Sequence, residues 1–171
     1  MSIIPLFIGI PLGCAFAIYL FLRKNEKGAD WVANGCALFL LVSSLLLISK
    51  VSKAGSLIYK MGGWPPPTGI NLVLDGFSLF MLIVINLVTF MATLYSVQYM
   101  RRFTAKAKYY TMFLLMVAGM NGVVLTGDLF NLYVFLEIAS ISSYVLVGFG
   151  IEHEELEAAF KYMVLGIIAS T

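Results

Sequence analysis

An all-α integral membrane fold is predicted by two observations. Hydrophobic residues make up 61% of the chain and charged residues only 12%, against about 25% charged in ordinary soluble domains; the mean hydropathy is +0.95. The apolar residues also gather into runs of the length a helix needs to cross the ~30 Å hydrocarbon core, about 20 residues each. Residues 1–171 are therefore read as one transmembrane bundle of about five full helices and a partial sixth, with an external Gly/Pro-rich hairpin or loop between the second and third.

The first run is Ile3–Leu22. No cation precedes it and Arg23 and Lys24 follow it, a flank pattern that fits a retained helix rather than a cleaved signal. Pro11 lies inside it, where a proline is expected to kink the helix. The second run is Val32–Ser49. It is followed by Val51–Gly69, whose GGWPPPTG sits between two short apolar segments, LIYKM and INLVL. That order suits a hairpin or an ordered loop. The third and fourth runs are Ile70–Ser96 and Tyr109–Gly127. The fifth, Leu129–Phe149, is joined to the fourth only by Gly127–Asp128, so the two are expected to be antiparallel neighbours. Asp128 is placed to cap the fifth helix. The sixth, Glu154–Thr171, has about 14 apolar-type positions from Ala158 onward, or ~21 Å of helix, too short to cross. Either these residues are part of a longer chain, or further helices come from a separate subunit.

The distribution of Lys and Arg predicts the orientation. Arg23, Lys24 and Lys27 follow the first run, and Arg101, Arg102, Lys106 and Lys108 follow the third. They outnumber Lys50, Lys53 and Lys60 on the other side. The positive-inside rule then places the N-terminus outside the cell membrane. The formal charge is only +2 and no basic patch is clustered, which argues against nucleic acid as a partner. The two cysteines, Cys14 and Cys36, lie in apolar runs without metal-ligand spacing and are read as packing residues. No cofactor or metal is expected in this chain.

Glu137 carries the functional signal. It is the one charge in about 21 residues of the fifth run, roughly 12 Å below the start of the helix and so near mid-membrane. A carboxylate at that depth costs at least a few kcal/mol, and such residues usually face a protein interior or water. Tyr133, Glu137, Ser140 and Tyr144 fall at i−4, i, i+3 and i+7, on one helical face. A carboxyl flanked by hydroxyls suits a segment of a proton relay, although serines and tyrosines also serve helix packing.

Further polar residues join this list. The third helix carries Asp75, Ser78, Asn86, Thr89 and Thr93 at helical spacing. Asn86 reads as a buried hydrogen-bonding partner, and Asp75 as a lining residue or merely a cap near the outer end. Asn121, in GMNG, lies at depth beside small residues that permit close packing. Lys161 lies ~10 Å inside the sixth helix. It either snorkels to the interface or faces the interior and tunes Glu137, through water rather than by direct contact. A nearby ammonium lowers a carboxyl pKa and burial raises it. His153, in the acidic loop, reads as solvated, although near the cytoplasmic mouth it and the four surrounding glutamates could also collect protons.

TGDLFNLYVFLEIASISSYVLVGFG (Thr126–Gly150) and EAAFKYMVLGIIAS (Glu157–Ser170), with GGWPPPTGINLVLDGFS (Gly62–Ser78) and YYTMFLLMVAGMNGVVLTGD (Tyr109–Asp128), resemble the antiporter-like proton-translocating subunits. Complex I, Mrp-type cation/proton antiporters and membrane-bound hydrogenases share these subunits. The GDLFNLYVFLE wording looks closest to the Mrp D-subunit branch. The resemblance implies that Glu137 is the family's fifth-helix glutamate, its central proton carrier. It also implies that Lys161 matches a sixth-helix lysine found in part of the family. Members have about fourteen helices, so this chain corresponds to the N-terminal third. The seventh-helix lysine that normally partners the glutamate is not among these residues, nor is the later broken helix with its ionisable group. Independent pumping is therefore not expected.

Two functions follow from these readings. In the first, the chain is a subunit of a large membrane complex and contributes to translocation of H⁺, with or without Na⁺. Its partners are other membrane subunits, one of them supplying the missing helices, and lipid. In the second, it packs in such a complex as a structural or assembly subunit and conducts nothing. Any redox catalysis must lie in partner subunits, because no nucleotide-binding loop, Cys cluster or His-rich motif is present.

Overall fold

The computed structural model describes residues 3–64, 69–102 and 105–170. Six helices follow one another: α1 (Leu6–Phe21), α2 (Glu26–Ala54), α3 (Gly76–Tyr99), α4 (Lys106–Leu125), α5 (Leu129–Val147) and α6 (His153–Ser170). Two short strands, β1 (Leu57–Lys60) and β2 (Asn71–Leu74), lie between α2 and α3. They pair antiparallel, with Leu57 opposite Leu74 and Lys60 opposite Asn71. The two strands are therefore the two apolar segments on either side of GGWPPPTG. Residues 65–68, on which the expected Gly/Pro-rich turn falls, lie outside the described residues.

The expected helix count is met only in part. Four helices, α2 to α5, are long and apolar enough to cross a membrane. α1 has 16 residues, about 24 Å, and runs through Pro11 as one helix. α6 starts with an acidic first turn, Glu154 and Glu155, and its apolar part is correspondingly short. By contrast, α2 is longer than its apolar run. Its 29 residues reach about 43 Å, because Asn25 caps a polar first turn by accepting from the Gly28 N–H at 3.1 Å. Hydropathy cannot count a turn that extends beyond the apolar run.

α4 is the central helix. More than half of its span is buried (56%), against 11% for α5. Tyr110, Leu114, Val117 and Leu125 of α4 join Phe7, Ala15 and Ile18 of α1, Ala33 and Leu40 of α2 and Leu82 of α3 in the core. Cys14 and Cys36, on α1 and α2, are free thiols, Cys14 half-buried and Cys36 buried.

α4 and α5 form the most extensive helix pair, as the two-residue link between them requires. Gly119 and Gly122 permit the close approach. A Cβ on Gly119 would meet the Ala139 backbone nitrogen at 2.7 Å, and one on Gly122 would overlap the Phe135 ring. The turn between the helices is tied to the hairpin, since the Gly127 N–H donates to the Asn71 carbonyl at 2.9 Å. Asp128 caps α5 by accepting from the Asn131 N–H at 3.1 Å.

Candidate proton-handling site

α5 sets the geometry of Glu137. Phe135, Ala139 and the buried Ser142 face α4 or lie close to it. At ~100° per residue, Tyr133, Glu137, Ser140 and Tyr144 fall within an arc of about 60° on the opposite side. Glu137 is half-buried and Tyr133 is 48% exposed. Among the described residues Glu137 has no hydrogen-bond or ion-pair partner. Its carboxyl group, midway along α5, thus lies on the side of that helix turned from α4.

α6 covers the far end of the same stripe. It runs back along α5, with Ala159 against Gly148 and Gly166 against the Tyr144 side chain. The Tyr144 and Tyr162 rings meet edge to face at 4.8 Å. Tyr144 is therefore held by α6, while Glu137 lies about 10 Å further along α5. The neighbouring hydroxyls turn back on their own helix. Ser142 donates to the Ile138 carbonyl and Ser143 to the Ser140 carbonyl, both at 2.7 Å. Those two follow the packing reading.

Lys161 is not brought to Glu137. Its Nζ lies 2.5 Å from Glu157 of the same helix, and both side chains are more than half exposed. An exposed i,i+4 pair contributes little to stability. Lys161 is next to Tyr162, on the far side of Tyr144 from Glu137, and roughly 10 Å or more separates it from the carboxylate along the axis.

The remaining predicted residues form a different group. Asn86 and Asn121 are fully buried between α1, α3 and α4. The Asn121 side chain donates to the Phe7 carbonyl at 3.0 Å and to Asn86 Oδ1 at 3.3 Å. Asn86 in turn donates to the Leu82 carbonyl at 2.8 Å. Two helices, α4 and α5, stand between this pair and the Glu137 stripe. Asp75 belongs to neither group. It is the N-cap of α3, accepting from the Ser78 N–H at 2.7 Å, and those bonds hold its carboxyl below the usual aspartate range.

One ionic cluster was missed in the sequence. Lys106, 3% exposed, places its Nζ 3.0 Å from Asp30 Oδ2, and also donates to the Val97 carbonyl at 3.2 Å. The Tyr110 hydroxyl donates to Asp30 Oδ1 at 2.7 Å. These bonds fasten the first turns of α2 and α4 together at the basic end of the bundle. Lys106 and Tyr110 at i,i+4, opposite one of the few acids in that region, were the available signal. Nearby, the Ser96 and Tyr109 hydroxyls are hydrogen-bonded at 2.8 Å. Among the described residues, no three His, Cys, Asp or Glu side chains are grouped to hold a metal ion.

Residues 67–110 match the model for the N-terminus of chain 5 of NADH-ubiquinone oxidoreductase (complex I). Residues 126–171 match the transmembrane model of NADH:quinone oxidoreductase and Mrp antiporters. The chain is 34% identical over 168 residues to the N subunit of NADH-quinone oxidoreductase from Desulforudis audaxviator, covering 96% of this chain and 33% of that protein. It is 32% identical over 171 residues to the D subunit of the Na(+)/H(+) antiporter from Alkalihalophilus pseudofirmus, covering 99% and 34%. Its fold superimposes on a chain of the membrane-bound sulfane sulfur reductase, an archaeal respiratory membrane complex, with a TM-score of 0.89, 33% identity and coverage of 98% and 34%. The chain thus spans about a third of the length of the relatives it matches.

Apolar helices around a central α4, in a membrane-protein family, define a multi-pass membrane subunit. The chain belongs to the antiporter-like subunits shared by complex I-type oxidoreductases and Mrp cation/proton antiporters.

Proposed function

We propose that this chain contributes to translocation of protons, alone or against a cation, within a larger membrane complex, and that Glu137 is the proton carrier. The observation behind this reading is the position of Glu137. It lies midway along α5, half-buried, on the side of that helix turned away from α4 and without a partner among the described residues. A carboxyl group can take up a proton and release it, which a carrier requires.

Lys161 then acts as a distant electrostatic partner or a relay residue, with Tyr133, Ser140 and Tyr144 along the same face. The basic end of the bundle, with Arg23, Lys24, Lys27, Arg101 and Lys108, faces the cytoplasm, so the N-terminus is outside. The relative named as part of a Na(+)/H(+) antiporter makes Na⁺ a candidate second ion.

The test is Glu137→Gln in the assembled complex, reconstituted in vesicles with a pH-sensitive dye. Transport is expected to fall to background while every subunit remains in the complex. Full transport in the variant would overturn the role of Glu137 and leave the chain a structural component of the assembly.

A further inference from the structure

At the basic end of the bundle, α2 and α3 enclose a cleft of about 390 Å³, within the size range of small-molecule sites. Lys27, in the first turn of α2, and Arg101, just beyond the end of α3, both line it. Both side chains are exposed, and neither has a partner among the described residues. Leu94 and Val97 supply an apolar wall, and Trp31, 80% exposed, stands at the rim. Asp30 also lines the cleft, but its two carboxylate oxygens are engaged by Lys106 and Tyr110. The Asp30–Lys106 pair is neutral, so Lys27 and Arg101 leave the cleft with two uncompensated positive charges.

We propose that this cleft binds the headgroup of an anionic phospholipid, with the phosphodiester held between Lys27 and Arg101. The depth is right: the cleft sits where the two membrane helices leave the hydrocarbon, the level of lipid phosphates. Tryptophan favours that same level. A soluble anion would gain nothing from the Leu94 and Val97 wall, whereas the glycerol backbone and upper acyl chain would pack against it. Basic pockets between membrane helices are a recurring way to hold such headgroups. The Asp30–Lys106 bond acquires a second role here, because it removes the one negative charge that would repel a phosphate. The site is remote from Glu137, and its occupancy does not depend on the transport reading.

The chain has two tryptophans, Trp31 and Trp64, so a Trp64→Phe variant reports on the cleft alone. It is reconstituted in phosphatidylcholine vesicles containing a minor fraction of brominated phosphatidylglycerol or, in the matched arm, brominated phosphatidylcholine. Brominated phosphatidylglycerol is expected to quench Trp31 far more strongly, corresponding to roughly 30-fold selectivity from two cations. Lys27→Gln with Arg101→Gln, which keeps the side-chain stems, removes that selectivity, and Arg101→Lys with Lys27 intact retains most of it. Inorganic phosphate in the buffer leaves the quenching unchanged. Equal quenching by the two lipids would overturn the proposal, as would selectivity that survives the double variant. Relief by inorganic phosphate would overturn it too, and would mark a soluble-anion site instead.

Discussion

Asn121 and Glu137 are both polar side chains deep in adjacent helices, yet they sit in opposite circumstances. Asn121, on α4, is fully buried and donates to Phe7 and Asn86 within its own bundle. Glu137, on α5, lies on the face turned from α4, and no partner for it is found among the described residues. The difference shows how depth and function separate. A neutral amide can be satisfied by a backbone carbonyl and a second amide, after which it holds helices together. A carboxylate at mid-membrane needs a charge, water or a proton. Buried polarity alone is therefore weak evidence of a transport path; an ionisable group left unsatisfied by its own bundle is stronger.

The contrast can be broken most directly through activity. Glu137→Gln should abolish proton movement by the assembled complex, whereas Asn121→Leu should leave it largely intact and lower thermal stability by ~1–3 kcal/mol, since it strands Asn86 Oδ1 and the Phe7 carbonyl. Transport assays and melting curves on the two variants side by side would reverse the comparison if Asn121→Leu also stopped transport.

A second variant weighs the ionic fastening of α2 to α4. Lys106→Ala leaves Asp30 mostly buried with its cation removed, and a broken buried pair typically costs about 3–5 kcal/mol. Thermal unfolding should show that loss. Asp30→Asn with Lys106→Met, which removes both charges, should be milder. Equal damage from the single and double changes would deny the pair its electrostatic character.

Gly119→Ala tests the α4–α5 seam on which the Glu137 face depends. Its new Cβ would press on the backbone of Ala139, not on a side-chain tip that can swing away. Overpacking of this kind costs about 1–3 kcal/mol, readable as a lower melting temperature. Proteolysis within the 126–128 turn should become faster; an unchanged rate would mean that the helices have room to separate without loosening.

The smallest effect belongs to Asp75. Its folded-state pKa lies below the ordinary value of 3.8 because the Ser78 N–H stabilises the carboxylate. Its contribution is therefore fully present above that value, and is lost as the pH falls below it and through the folded-state pKa. Asp75→Asn should flatten this acid-side slope, removing the small contribution near neutral pH and leaving stability below the folded-state pKa almost unchanged. A slope that persists in the variant would assign it to other carboxylates.

Much of this was legible in the chain itself. LIYKM and INLVL become the paired strands because short alternating segments around a turn favour a hairpin. Asp128 caps α5, and the small residues of GMNG allow the close α4–α5 approach, as their local chemistry implied. The rest depended on facts that no single helix contains. Periodicity grouped Asn86 and Asn121 with Glu137 as polar residues at depth, but only packing shows that α4 and α5 stand between them. Lys106 counted as a loop cation because its partner Asp30 lies 76 residues away. Lys161 reads from the sequence either as snorkelling or as tuning Glu137 through water; its contact in the structure is the exposed pair with Glu157.

The central claim is that Glu137 gains and loses a proton during transport. Infrared difference spectroscopy of the reconstituted complex, with and without the driving ion gradient, reads carboxyl protonation directly. A protonated-carboxyl band that follows the gradient and is missing in Glu137→Gln is the predicted result. A gradient-dependent band that survives in Glu137→Gln, or none in the native protein while transport proceeds, would contradict it.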